Sequence, residues 1–369
     1  MNPLSWRDRC RLYLFETDRR SLVLGLFAFF LNLAFGCGMA SANALLVGRS
    51  GTDSLFFVYL GSALLTFLLA AATYLWVDRR SRRCAFFLSC EAFAALIFLF
   101  WLLIRGMPGA FWPVFVARVL SDVFFVLTLL QYWLLAGEYF SNLEARLRFP
   151  LFVAANGLGY MVGGWLLQRF APVFGAMDFL LLWAAVLAAI PLLLRWLPVP
   201  ACSPSQKGLA RQRDAAVVPS SAFRLLKTLF LFWLVFTFLL YGADYFFNSV
   251  ALRHIPDENR LAALFGRVAF FSLLAVLAFQ LLLAGPLSRV LSVNRAMTFL
   301  CLALVLGTAL LAWQPSLSVA AFSQGFLMYF LESKAVSVLQ PVANLFPDGM
   351  KDAPRSSWMG SRRLPETWS

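Results

Sequence analysis

The sequence predicts an all-α polytopic membrane protein of about ten transmembrane helices, and three observations carry that expectation. Hydrophobic residues make up 61% of the 369 positions and charged residues only 13%, with a mean hydropathy of +0.77. An average soluble domain has about 25% charged residues, so a soluble globular enzyme is excluded. A disordered chain is excluded too, because disorder combines low hydrophobicity with high charge. The apolar residues fall into runs long enough for a hydrocarbon core of about 30 Å, which takes roughly 20 residues of helix. Finally, 31 Lys and Arg against 18 Asp and Glu give a net charge of +13. That excess gathers in alternate connections, as the positive-inside rule requires.

Apolar runs read against breakers place spans at 21–47, 55–77, 85–104, 111–137, 151–170, 175–196, 225–248, 264–287, 296–313 and 317–340. The first follows Arg7, Arg9, Arg11, Arg19 and Arg20 and is far longer than a signal-peptide core, so it is read as a retained span. The basic connections include the N-terminal segment and the segments after spans 2, 4, 6, 8 and 10, which predicts cytoplasmic ends in a bacterial inner (plasma) membrane. One connection is long: 198–224, PVPACSPSQKGLARQRDAAVVPSSAFR, rich in Pro, Ser and Arg. The predicted organisation is therefore a six-helix bundle at 1–197, a cytoplasmic linker at 198–224, a four-helix bundle at 225–340 and a polar cytoplasmic tail at 341–369.

Enzyme chemistry has little to use here, and the expectation is a non-enzyme without a cofactor. The only histidine, His254, sits beside Pro256 in a predicted external loop, and no GxxxxGK[ST] phosphate loop occurs. Six cysteines without CxxC spacing indicate neither a disulfide framework nor a metal site. The bilayer accounts for the basic charge, so no nucleic-acid partner is implied.

Polar residues at membrane depth are costly and mark cavities or pathways. At 100° per residue, span 1 places Gly25, Asn32, Gly36 and Asn43 on one narrow arc, and span 7 does the same with Thr237, Tyr241, Asp244 and Asn248. Span 4 carries Arg118, Ser121, Asp122, Thr128 and Tyr132 on one side, with Gln131 adjacent, and Arg118 and Asp122 are an i, i+4 pair. Span 10 carries Ser323, Tyr329, Ser333, Lys334, Ser337 and Gln340, whereas spans 2, 6 and 9 look almost purely apolar. The expected cavity residues are Asn32, Asn43, Arg118, Asp122, Gln131, Tyr241, Asp244, Asn248 and Lys334. Asp244 is expected near the extracytoplasmic end of span 7, partly hydrated, within reach of Arg253 or Arg267, and is read equally as a protonatable gate or as an interfacial aspartate that caps helix packing or pairs with an arginine. In span 5, Ala155, Gly159 and Gly163 form a small-xxx-small stripe that lets another helix approach closely.

Several of these features resemble the major facilitator superfamily. The six-plus-four division resembles its two six-helix halves with the last two helices missing, and the polar spans 1, 4, 7 and 10 hold the ordinal positions that line its central cavity. Asp78, Arg79, Arg82 and Arg83 resemble its loop motif after helix 2, which the family uses for gating contacts between the halves. Residues 131–164, through Trp133, Glu138, Phe140, Ala145, Arg146, Phe149, Pro150, Gly159, Gly163 and Gly164, further resemble bacterial and plastid ATP/ADP translocase-like proteins, as does 243–268. The resemblance implies secondary transport of a small polar or anionic metabolite, with a nucleotide as candidate substrate. It also leaves open a truncated remnant or a non-transporting sensor or scaffold. The interior holds two basic residues, Arg118 and Lys334, against Glu91, Asp122, Asp244 and Glu332, which suits proton coupling or a cationic or zwitterionic ligand at least as well as a phosphate.

Overall fold

The computed structural model describes residues 18–77, 82–140, 142–197, 220–282, 302, 305–310, 313 and 316–326. Within them the chain forms helices α1 (Arg19–Ser50), α2 (Ser54–Val77), α3 (Arg82–Gly106), α4 (Phe111–Tyr139), α5 (Asn142–Phe174), α6 (Asp178–Leu193), α7 (Ser220–His254), α8 (Glu258–Leu282) and α9 (Leu317–Gln324). A 3-10 turn, Leu194–Trp196, extends α6 past Pro191. Helices are what a hydrocarbon solvent permits, because each satisfies its own backbone hydrogen bonds. Six of them (α1 to α4, α7 and α8) are long and apolar enough to cross a membrane, and α6 is apolar but shorter. The long hydrophobic side chains left exposed, such as Phe56, Phe57, Leu60, Leu64 and Phe67 on α2, form a surface suited to lipid.

α1 is the central helix. It packs against α4, α5, α6 and α8, while α5 packs against α8, α3 against α6, and α9 against α7. The close approach of α1 and α5 follows from the small residues on α5. A Cβ at Gly159 would collide with the carbonyl oxygen of Phe29, and one at Gly163 would lie 2.5 Å from that of Leu33. A matching pair joins α5 to α8, where a Cβ on Gly164 would lie 2.9 Å from the carbonyl oxygen of Gly266. Such contact replaces the hydrophobic drive that lipid cannot supply.

The bundle end at Gly51 is built from tight connections. Gly51 takes φ 75° to end α1, its N–H donating to the Val47 carbonyl at 3.0 Å, and Gly175 takes φ 93° to end α5. The N-terminus of α8 is docked against three of these connections. Glu258 pairs with Arg49 at 2.9 Å, Arg49 also donates to the Pro108 carbonyl at 3.3 Å, and the Asn259 side chain accepts the Ala176 N–H at 2.7 Å. Asp257 caps α8 by accepting the Arg260 N–H at 2.8 Å.

Several boundaries differ from expectation, and α7 begins at Ser220, so that 220–224 of the predicted linker are helical. α5 starts at Asn142 and not at 151, because the helix-forming run Leu143-Glu144-Ala145-Arg146-Leu147 precedes Pro150, whose missing N–H the helix accommodates. α6 starts at Asp178, after the Gly175 turn. α7 runs on to His254, so this residue ends a helix, with Nδ1 2.9 Å from the Val250 carbonyl, and does not sit in a loop. α8 begins at Glu258, just after Pro256. The 198–219 part of the linker, most of span 9, span 10 beyond 326 and the tail lie outside the described residues.

Candidate functional site

Five helices bring polar side chains together in one buried layer. On α4, Arg118 donates from Nη1 to Asp122 Oδ1 at 2.5 Å and from Nε to Asn43 Oδ1 on α1 at 3.2 Å. The second oxygen of Asp122 accepts from Ser62 on α2 at 3.0 Å. Asn43 Nδ2 donates across to Asn248 Oδ1 on α7 at 2.8 Å, and Asn248 Nδ2 donates to the Asp244 carbonyl at 2.7 Å. The Asp244 carboxylate accepts the Tyr59 hydroxyl of α2 on one oxygen at 2.6 Å and Gln324 Nε2 of α9 on the other at 2.7 Å. Tyr59 and Tyr241 place their rings 4.7 Å apart beside it. Arg118, Asp122 and Asp244 are the buried charged side chains among the described residues.

The depth of the layer follows from the helix rise. Tyr59 is five residues from the start of α2, Asn43 seven from the end of α1, Asp122 eleven from the start of α4 and Asp244 ten from the end of α7. At 1.5 Å per residue these lie about 8–17 Å below the Gly51 end. Asp244 is thus not at a hydrated helix end. The extension of α7 to His254 puts it two to three turns inside, 8% exposed, and its carboxylate meets Tyr59 and Gln324, not Arg253 or Arg267.

The other expected residues fall elsewhere. Asn32 is buried and donates to Asn156 on α5 at 2.8 Å and to the Ala28 carbonyl at 3.0 Å, so its amide ties α1 to α5. Gln131 is buried on α4, nine residues or about 13 Å from Asp122, and its Oε1 has no hydrogen-bond partner among the described residues. Tyr241 is 37% exposed. Ser121 and Thr128 bond back to the Ala117 and Phe124 carbonyls of their own helix, and Tyr132 donates to the Leu24 carbonyl, which makes these three packing residues. Arg82 pairs with Glu138 at 3.4 Å and donates to the Leu134 carbonyl, both on α4, and Arg83 is half-buried. Asp78, Arg79 and Lys334 lie outside the described residues.

Sequence reasoning overlooked Tyr59, Ser62 and Gln324. Span 2 looked apolar because a tyrosine and a serine are ordinary in membrane helices, yet the two lie at i, i+3 on one face. Gln324 sits eight residues into span 10, where the tyrosine and lysine further along drew attention away.

Fold and site together define an all-α protein whose described residues include six helices long and apolar enough to cross a membrane, with a polar layer joining helices on both sides of the linker. In fold the chain is similar to the crystal structure of the nucleoside transporter NupG, with a TM-score of 0.59 and 16% sequence identity over 85% of this chain and 80% of that one. No protein family matches the sequence, and no curated protein does.

Proposed function

We propose that the chain is a secondary transporter that moves a small, polar, unphosphorylated metabolite by alternating access, with a nucleoside as the substrate class. The observation that carries this reading is the continuous hydrogen-bonded layer from Ser62 through Asp122, Arg118, Asn43 and Asn248 to Asp244, Tyr59 and Gln324. It draws on α1, α2 and α4 before the linker and on α7 and α9 after it. Polar groups at this depth are expensive to bury, and a pathway is their usual reason.

The charge balance argues against the nucleotide that the translocase resemblance implies. Phosphates need positive partners in a low-dielectric site. Arg118 is already neutralised by Asp122 at 2.5 Å, and Asp244 adds an uncompensated carboxylate. A hydroxyl- and amide-bearing neutral ligand fits that balance, and the likeness in fold to a nucleoside transporter supports the same class. Asp244, whose carboxylate accepts from two neutral donors, is the group we assign to proton coupling.

We read the basic connections as setting the Gly51 end outside, in a bacterial inner membrane, with 198–219 as the cytoplasmic linker between the two halves. The layer and the Arg49–Glu258 pair then close the outward side. A topology reporter fused at Gln206 should read cytoplasmic, and a periplasmic signal would reverse the assignment. The substrate class is tested by thermal stabilisation of the purified protein in detergent against nucleosides, nucleoside 5′-phosphates, amino acids and sugars. Nucleosides should raise the melting temperature in a saturable way, and stabilisation by nucleotides alone would refute the reading.

A further inference from the structure

Gln324 differs from the other amides of the layer. Asn43 and Asn248 each use both ends: the Asn43 oxygen accepts from Arg118 and its nitrogen donates to Asn248, whose own nitrogen donates to the Asp244 carbonyl. Gln324 uses one end. Its Nε2 donates to Asp244 Oδ1 at 2.7 Å, while its Oε1 is buried without a partner among the described residues, on a residue 7% exposed. In the ionised form of Asp244 the orientation is not arbitrary, because a carboxylate then only accepts and therefore selects the amide nitrogen. The other carboxylate oxygen is held by Tyr59 at 2.6 Å, which keeps Asp244 from turning. The carbonyl of Gln324 is consequently fixed, desolvated and lacking a donor. A buried acceptor left in that condition costs more than an ordinary hydrogen bond contributes, and lipid cannot supply the missing donor. Beside it, the hydroxyl of Ser323 is also buried and unpartnered. A hydroxyl can turn to donate or accept, so it discriminates less than the fixed carbonyl.

We infer that Gln324 is the specificity-determining residue of the site, its carbonyl accepting a hydrogen bond from an N–H or O–H of the ligand, with Asp244 and Tyr59 as positioning residues. This rests on the transport reading above and adds which ligand chemistry the site demands. A ligand lacking the matching donor would leave the carbonyl as orphaned as it is without ligand. A site built to pair with a polar group rejects the analogue that lacks it far more strongly than an apolar pocket rejects a missing methylene.

The test is equilibrium binding of uridine and of four analogues, each with one donor removed (N3-methyluridine, 2′-deoxyuridine, 3′-deoxyuridine and 5′-deoxyuridine), to the full chain and to Gln324→Met. Methionine keeps the length and removes the acceptor. In the unaltered protein one analogue should bind about tenfold or more weakly than uridine. In Gln324→Met the same analogue should bind about as well as uridine, the other ratios staying as they were. Each comparison is a ratio within one variant, so a lower active fraction does not affect it. Should Gln324→Met not fold, Gln324→Asn withdraws the carbonyl by one methylene and should compress the same ratio. Equal ratios in variant and parent, or no analogue discriminated by the parent, overturn the role of Gln324 while leaving the transport reading standing. Absence of saturable binding by uridine and every analogue overturns both.

Discussion

Removing Arg118 should damage the protein more than removing Arg118 and Asp122 together. The pair is 6% and 10% exposed at the side chains, with 2.5 Å between nitrogen and oxygen. Taking away the guanidinium leaves the buried Asp122 with Ser62 as its one remaining donor among the described residues. Breaking a buried pair from one side costs about 3–5 kcal/mol, whereas replacing both partners by apolar groups of similar volume is often neutral. The loss of the Arg118 to Asn43 bond adds roughly 1 kcal/mol to either arginine variant. For a chain of this size, at about 2 °C per kcal/mol, Arg118→Met should lower the melting temperature by roughly 8–12 °C. Asp122→Leu, which keeps the Asn43 bond, should lower it by roughly 6–10 °C, and the double variant should fall by only a few degrees. Thermal unfolding of the purified variants in one detergent, followed by size-exclusion chromatography after heating, gives the four corners of the cycle. Additive losses would refute the pairing argument.

Gly159→Val should prevent α1 and α5 from closing, since the new side chain meets the Phe29 backbone, whereas Gly25→Ala enters open space and should be near neutral. Monodisperse yield in detergent separates the two. Arg49→Glu should loosen the Gly51 end and Arg49→Glu with Glu258→Arg should restore it. Both side chains are partly exposed, so the pair contributes only about 0–1 kcal/mol and less at high salt, and the readout is protease sensitivity of the α7–α8 connection at low and high ionic strength. Asp244→Asn should insert and fold, keep substrate exchange and lose proton-driven accumulation. Unchanged pH-driven uptake in vesicles would remove Asp244 from coupling.

How much of this was legible in the sequence depended on how far each residue stood out from its surroundings. Arg118, Asp122, Asp244 and the asparagines 43 and 248 are conspicuous because a charge or an amide inside an apolar run has few innocent explanations. The period of the helix places Arg118 and Asp122 one turn apart, which is enough to pair them. Tyr59 and Ser62 gave no such signal, since both residue types occur in lipid-facing and packed helices alike. Only the tertiary approach of α2 to α4 and α7 gives them their partners. The depth of Asp244 was misjudged for a different reason: apolarity fades before α7 ends, and the helix continues through Leu252-Arg253-His254 because proline stops it only at 256. The start of α5 was misplaced by the opposite error, a proline read as a boundary where strong helix formers carry the helix through it. The docking of Glu258 and Asn259 onto the first half was invisible because the first turn of α8 precedes the apolar run that marked the span, and no periodicity there names a partner.

The measurement that tests the central claim most directly is counterflow in proteoliposomes containing the purified chain. Vesicles loaded with unlabelled uridine should take up labelled uridine transiently, the uptake should be competed by other nucleosides and not by nucleoside 5′-phosphates, and it should be lost in Arg118→Met. Counterflow of nucleotides with none of nucleosides, or no difference from protein-free vesicles, would contradict the account.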